Sequence, residues 1–421
     1  MIYPSASCAD LFEPGLLSLD KAVSSVLDQI IPISETEYLS IQDALHRVLA
    51  LSPISNINVP SHTNSAVDGY AIHHQDIPPE NKTKILTIAG EALAGKPYIG
   101  KLQPGQAIRI MTGASLPEGS GAVLMQEQVK VLNNDQILID GKHRSGENIR
   151  LAGEDIQKGE AIIPGGKLLL PADLGLIASI GQSEVCVTRK IRVGIISTGN
   201  EILPQGAFLE PGKIYDSNRF SLIGALGHLP VQIHDYGIIP DDPEQLKQTF
   251  LEAAQRCDAV ISSGGVSVGE ADYAKLVLAE LGDINFWKVA IKPGRPMAFG
   301  KIGDSVFFGL PGNPVAVMVT FYVFVLPALH KLAGITEQFH LPTFPARTIE
   351  KLRKKPGRTE FQRGIMNRTE NGQWQVKCTG KQGSGILKSM SQANCFIVLE
   401  HDRGNVEAGE WVEILPFACL P

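Results

Sequence analysis

Several short strings in this chain combine groups that hold phosphate with groups that hold a cation. In SSGGVSVGEADY (262–273), Ser262, Ser263, Gly264 and Gly265 follow an apolar run. Backbone N–H groups of such a glycine loop cradle phosphate. Glu270 and Asp272 follow within a few residues, and carboxylates repel a bare phosphate. In STGNEI (197–202), Ser197 and Thr198 offer hydroxyls, Gly199 lets backbone approach a ligand, and Glu201 stands just beyond. An ordinary strand-to-helix turn with a capping acid fits that string equally well. In PDD (240–242), Asp242 reads as an N-cap ahead of Pro243, which leaves Asp241 to face a ligand.

Cations lie close by. WKVAIKPGRP (287–296) sets Lys288 and Lys292 four apart, on one face if the segment is a strand, with Arg295 after a Pro-Gly turn. A solvated strand edge is the plain alternative. LPGNP (310–314) brings Pro311 and Gly312 to a turn and places Pro314 at the first position of a helix, whose N-terminus is an anion site. A bare phosphate needs only amides and cations. A phosphate carrying Mg²⁺ needs carboxylates as well. The combination points to a phosphoanhydride or nucleotide with a divalent ion, and to phosphoryl or nucleotidyl chemistry. Other signatures are weak. GQAIRIMTGAS (105–115) lacks the lysine and spacing of a P-loop, and no HExxH or nucleophile elbow occurs. His62, His73 and His74 are near in sequence, but adjacent residues of an extended segment point to opposite faces, which argues against a metal site.

The elements that must position these groups follow from periodicity. SLDKAVSSVLDQII (18–31) starts at Ser18 as an N-cap and repeats apolar residues at helical spacing, and SIQDALHRVLA (40–50) shows the same pattern. From about 52 to 147 short apolar runs broken by Gly, Pro, Asn and Asp read as β, with a hairpin turn at 133–135. PADLGLIASIG (171–181) reads as a helix with Pro171 at its start and Gly181 at its end. From 191 strands alternate with helices, which implies a mostly parallel, three-layer α/β sheet with ligands beyond its C-terminal strand tips. The apolar run 314–334 contains Pro327 and reads as a buried helix, not a membrane span. Pro342 and Pro345 mark a linker to a small β domain from about 337.

The 421 residues are too many for one core. A net charge of −6 argues against a general nucleic-acid binder. Six cysteines without a C-x-x-C pair read as reduced thiols of a cytoplasmic protein, and no basic-then-apolar leader stands at residue 1.

NSAVDGYA (64–71), RIMTGA (109–114), SGENIR with GEDI (145–156), STGNEI, KIYDSN (213–218), PDD, SSGGVSVGEADY, KVAIKPGRPMAFG, LPGNP and GSGIL (383–387) occur in order. Together they closely resemble the MoeA-type molybdopterin molybdenumtransferases, the family that includes the gephyrin E domain. The resemblance spans nearly the whole chain. It implies a multidomain α/β plus β fold: a discontinuous α+β domain (15–55 and 148–190), an inserted β domain (56–147), a central three-layer α/β molybdopterin-binding domain (191–336) and a C-terminal β-barrel domain (337–421). The implied reaction takes adenylylated molybdopterin and molybdate, cleaves the pterin–AMP anhydride with Mg²⁺, and places molybdenum on the dithiolene. Carried over by motif, functional positions fall on Asp68, Thr112, Asp155, Glu201, Asp241, Asp272, Lys288, Lys292, Pro311 and Pro314. Glu201, Asp241 and Asp272 would position metal and substrate, and Lys288 and Lys292, assisted by Arg295, would offset anionic charge. The resemblance further implies a homodimer in which Asp68 and Thr112 complete the partner's cleft, and transient contact with the molybdopterin adenylyltransferase. Val67, Arg295 and Met297 depart from the family's usual methionine, lysine and aromatic residue, and arginine brings a different donor geometry from lysine. Two other readings compete: a non-catalytic scaffold of the same fold, and the adenylyltransferase itself, which the α/β domain alone also resembles.

Overall fold

The computed structural model describes residues 16–265 and 273–420. Glu270 and Asp272 lie outside the described residues. The first helix, Leu19–Asp28, begins where the Ser18 side chain accepts from the Lys21 N–H at 3.4 Å. Its apolar stripe, Ala22 and Val26, is buried against the long helix near the α/β sheet. Lys331 of that helix donates to the Leu27 carbonyl at 2.7 Å.

The helix expected over 40–50 does not form. Thr36–Ser40 is a strand paired with Glu184–Thr188, and a single 3₁₀ turn, Ile41–Asp43, follows. His46 takes φ +59°, where a helix cannot continue. Leu49 instead bridges to Val187, and the non-helical chain buries Ala44, Val48 and Leu49 while Leu45 stays exposed.

Residues 69–140 build a six-stranded sheet in the order Ser120–Met125, Gly69–His73, Gln106–Ile110, Thr83–Ala92, Gln136–Asp140, Lys130–Asn133. Alternate side chains feed two cores, Ile72, Leu86 and Leu124 on one face and Ala71, Ile108 and Val123 on the other, as the period of two requires. The last pair is the expected hairpin, its turn held by the Asp135 N–H donating to Asn133 Oδ1 at 2.9 Å. His74 opens a 3₁₀ turn instead of extending the strand, so its ring stacks on His73 with centroids 4.0 Å apart. The opposite-face expectation for these two histidines therefore fails.

The central sheet runs Val231–Ile239, Ile191–Thr198, Ala259–Ser263, Ser305–Leu310, Pro296–Ile302, Asp283–Lys288. The first four strands are parallel and the last two antiparallel. One face packs on Asn218–Leu226 and the long helix, the other on Pro243–Arg256 and Tyr273–Leu281, giving three layers. The long helix, Pro314–Leu332, has mean hydropathy 1.8 and is 83% buried over its most apolar stretch. It passes through Pro327 without ending. A π turn, Phe321–Val325, holds Val323, the residue whose carbonyl the proline ring would strike in a regular helix.

Five strands, Phe344–Thr348, Thr359–Arg368, Trp374–Cys378, Cys395–Leu399 and Trp411–Pro416, close into a barrel through the pairing of Thr359–Arg368 with Cys395–Leu399. The segment with the two lysines is not one strand. Asp283–Lys288 belongs to the central sheet, while Ile291–Lys292 pairs with Thr359 and Glu360 of the barrel. Between them Leu17 pairs with Val289 and Ala290.

Candidate active site

Three strand ends and one barrel wall enclose a cleft of about 840 Å³. The first end is that of Ile191–Thr198. Gly199 follows at φ +143°, and a Cβ there would lie 2.6 Å from Glu201 Oε2. The carboxylate thus folds over the turn, in space that only glycine leaves open. Its backbone is fixed from the far side. The Ile214 N–H donates to the Glu201 carbonyl at 2.8 Å, and Lys213 Nζ donates to the Asn200 carbonyl at 2.5 Å. Asn200 and Asp241 exchange hydrogen bonds, each backbone N–H donating to the other's side chain at 3.1 Å. The 240–242 turn is thereby tied to the 199–201 turn. Asp242 caps the next helix by accepting from the Gln245 N–H at 2.9 Å, and Pro243 occupies its first turn.

The second end is that of Ala259–Ser263. Gly264 and Gly265 both take positive φ, +93° and +68°. A Cβ on Gly264 would sit 2.5 Å from the Thr198 carbonyl oxygen, so the first two turns touch through backbone. Beneath them Ser197 and Thr198 are buried, and neither hydroxyl finds a hydrogen-bond partner among the described residues. Thr198 lines the cleft; Ser197 and Ser262 lie in the buried layer behind it.

The third end leads from Leu310 through Pro311, Gly312 and Asn313 into the helix, with Pro314 at its first position. This N-terminus is partly used. The Val315 N–H donates to the Ser384 carbonyl at 3.0 Å, so the barrel takes one of the amides expected to be open to an anion. Arg358, Gln382, Gly383 and Ser384 complete the wall opposite the turns. Arg363, buried to 1% exposure, shapes this wall from behind. Its guanidinium donates to the Gly383 carbonyl at 2.9 Å and to Ser389 Oγ at 3.1 Å, and its backbone N–H donates to Gln382 Oε1 at 2.7 Å.

Of the expected site residues, the structure brings together at this cleft Thr198, Gly199, Glu201 and Asp241 on one side. Gly264, Gly265, Pro311 and Gly312 form its floor, and Lys292 and Arg295 reach it from the crossover between the two sheets. Lys292 spans both domains, donating to Glu360 Oε1 at 3.0 Å. Glu360 is itself buried beside Lys354, whose ammonium donates to three backbone carbonyls and whose pKa burial pushes down against the opposing pull of Glu360. Lys288 does not line the cleft. The break at Val289–Ala290 separates the lysines into different sheets, so the shared-face reading is corrected. Pro314 stands behind the lining, at the helix start. Asp272 lies outside the described residues.

Asp68 and Thr112 come together, but away from this cleft. The Thr112 N–H and hydroxyl both donate to Asp68 Oδ1 at 2.7 Å. The backbone bond, then the hydroxyl, hold this exposed carboxyl below its ordinary range. Asp155, also outside the cleft lining, is exposed on the loop where its N–H donates to the Val59 carbonyl at 3.0 Å. Sequence reading missed Arg358, Gln382 and Asn313 as lining residues. The only signal for the barrel wall was the GSGIL string, which begins at Gly383.

Comparison with known proteins agrees with this architecture. Residues 17–181 match the MoeA N-terminal region (domain I and II), 194–331 a family described as "Probable molybdopterin binding domain", and 345–417 the MoeA C-terminal region (domain IV). The chain is 45% identical over 405 residues to a molybdopterin molybdenumtransferase of Haemophilus influenzae, covering 96% of this chain and 100% of that one. It is 31% identical to gephyrin of Dictyostelium discoideum, covering 95% of this chain and 62% of that one. The crystal structure of the molybdopterin biosynthesis moeA protein from Pyrococcus horikoshii OT3 superposes with a TM-score of 0.82 at 32% identity, covering 95% of this chain and 99% of that one. The chain belongs to the MoeA family.

Proposed function

We propose that the protein is a transferase of molybdenum cofactor synthesis that takes adenylylated molybdopterin and molybdate, cleaves the pterin–AMP phosphoanhydride, and leaves molybdenum on the pterin dithiolene. Relatives named molybdopterin molybdenumtransferase support the insertion step. The observation that carries the finer reading is the presence of Glu201 and Asp241 in the same cleft as the glycine turns, Lys292 and Arg295. The Gly265 amide would hold a phosphate oxygen, the Gly199 and Gly264 N–H groups being spent on the Ile239 and Leu310 carbonyls at 3.4 Å and 3.2 Å, and the cations would offset the charge of phosphate or molybdate. Two carboxylates beside such donors suit Mg²⁺, which takes oxygen ligands and keeps several waters. Glu201 and Asp241 would hold it, with Asp272 as a further carboxylate, and the ion would supply charge neutralisation at the anhydride. Thr198, whose hydroxyl has no partner among the described residues, would bond the ligand directly.

A second copy of the chain fits the rest. Asp68 and Thr112 do not line the cleft of their own chain, and Ile214, 58% exposed, leaves apolar surface in its lining. We assign the Asp68–Thr112 pair to a partner's cleft in a homodimer, with substrate delivered by transient contact with the adenylyltransferase. The experiment is AMP release from adenylylated molybdopterin with molybdate and Mg²⁺. Asp68→Asn and Glu201→Gln homodimers should each be inactive, and mixing them should restore about a quarter of wild-type activity through heterodimers with one intact cleft. Binding of the pterin without AMP release would leave a scaffold instead. Activity that mixing does not restore would remove the dimer assignment.

A further inference from the structure

Asn218 ends the KIYDSN string and opens the helix Asn218–Leu226, outside the lining of the cleft. It is 8% exposed. Its Nδ2 donates to Ser263 Oγ at 2.8 Å and to the Gly312 carbonyl at 2.8 Å. The Gly312 carbonyl only accepts, so the nitrogen must face it, and both amide protons are used. Its Oδ1 is buried without a hydrogen-bond partner among the described residues. What the site draws from this residue is its pair of donors, which an isosteric carboxylate could not supply.

The two acceptors belong to different turns of the cleft. Ser263 immediately precedes Gly264 and Gly265, and Gly312 stands between Pro311 and Asn313. The parallel ladder between the two strands ends at Ser263↔Leu310, with one more bond from the Gly264 N–H to the Leu310 carbonyl at 3.2 Å. Beyond that point the backbones diverge into glycines, which hold a conformation poorly by themselves. Asn218 spans the gap from a fixed base. Asp216 Oδ1 accepts from the Arg219 N–H at 3.2 Å, and Arg219 in turn clamps Asp235 at 2.9 Å and 3.1 Å.

We propose that Asn218 is a positioning residue that locks the 263–265 turn to the 311–314 turn, so that amides from both address one ligand. The inference rests on the reading of this cleft as the molybdopterin site, and it gives the KIYDSN string a physical role. Asn218→Ala, Asn218→Asp and Ser263→Ala are compared in AMP release from adenylylated molybdopterin, at a temperature well below each variant's thermal midpoint. Loosened turns hold ground state and transition state alike less well, so KM should rise about tenfold in both Asn218 variants while kcat stays within about twofold. Ser263→Ala, which keeps the Gly312 bond, should raise KM less, and Ser263→Ala should add little to Asn218→Ala. A fold defect alone would lower kcat at unchanged KM, because the surviving molecules are native. That result, or unchanged kinetics, would overturn the inference and leave the proposed function standing. If the wild type releases no AMP, the same comparison is read as the Kd for molybdopterin. A wild type that binds none would overturn both.

Discussion

The two walls of the cleft are built by different rules. The α/β wall is made of strand ends, each running from a buried apolar strand into a turn whose glycine faces the ligand space. The barrel wall is made of Arg358 and Gln382–Ser384, held from behind by the buried Arg363 and joined to the α/β side by Lys292–Glu360 and Val315–Ser384. At Gly199 and Gly264 the first wall takes a backbone conformation and a close approach that only glycine allows. The other wall depends on charged side chains kept in place by tertiary contacts. Gly199 and Gly264 of the first leave no room for an added Cβ, whereas Gly312 has open space around it.

The strongest break of this contrast is Gly264→Ala. Its φ of +93° and the Thr198 carbonyl 2.5 Å from the new Cβ leave no relaxed position. A loss of about 2–3 kcal/mol in urea unfolding is expected, with AMP release abolished. Wild-type stability would mean that the wall is not backbone-limited. Glu360→Gln probes the other wall. Lys292 is about half exposed, so the pair itself is screened, but the buried Lys354 loses the field that supports its charge. A loss of about 1–2 kcal/mol is expected by the same measurement. Asp242→Ala removes a cap that holds a helix but contacts no ligand. It should lower stability by about 1 kcal/mol and leave KM unchanged. The smallest effect is that of Thr112→Val, at the exposed pair outside both walls. Asp68 has a lowered pKa, so its bonds to Thr112 are complete above the ordinary carboxylate range and are lost as pH falls through the lowered value. Removing the hydroxyl should move the Asp68 titration upward, toward but not onto the ordinary value, because the backbone bond remains. A ¹³C NMR titration of the carboxyl reads this, and no movement would mean that the hydroxyl bond contributes nothing.

The contrast also explains what sequence could disclose. The α/β wall was legible because its rule is local: an apolar strand, then Ser or Thr, then Gly, repeated at spacings that fit crossover helices. Thr198–Gly199 and Gly264–Gly265 follow that rule, Pro311–Gly312 reads instead as the turn ahead of Pro314 at a helix start, and Asp242 separates from Asp241 as a cap. The barrel wall was not legible. Arg358 and Gln382 reach the cleft from residues far along the chain, through barrel closure, and neither sits in a string with a local signature. The same limit misplaced Lys288, because no property of the 287–296 string says that the chain changes sheets at Val289–Ala290. Over 40–50, helical spacing is present, but pairing of Leu49 with Val187 buries Ala44, Val48 and Leu49 in a non-helical chain and leaves Leu45 exposed, so tertiary contacts override the local pattern.

The central claim is that both walls act on one ligand in one cleft. Its most direct test is a crystal structure of the protein flash-cooled with adenylylated molybdopterin and Mg²⁺. The expected result places an anhydride phosphate within hydrogen-bond reach of the Gly265 amide beside the 199 turn, a cation between the phosphates and Glu201 or Asp241, and the barrel residues Arg358 or Ser384 against the same ligand. A ligand seated elsewhere, or phosphates touching neither glycine turn, would contradict it.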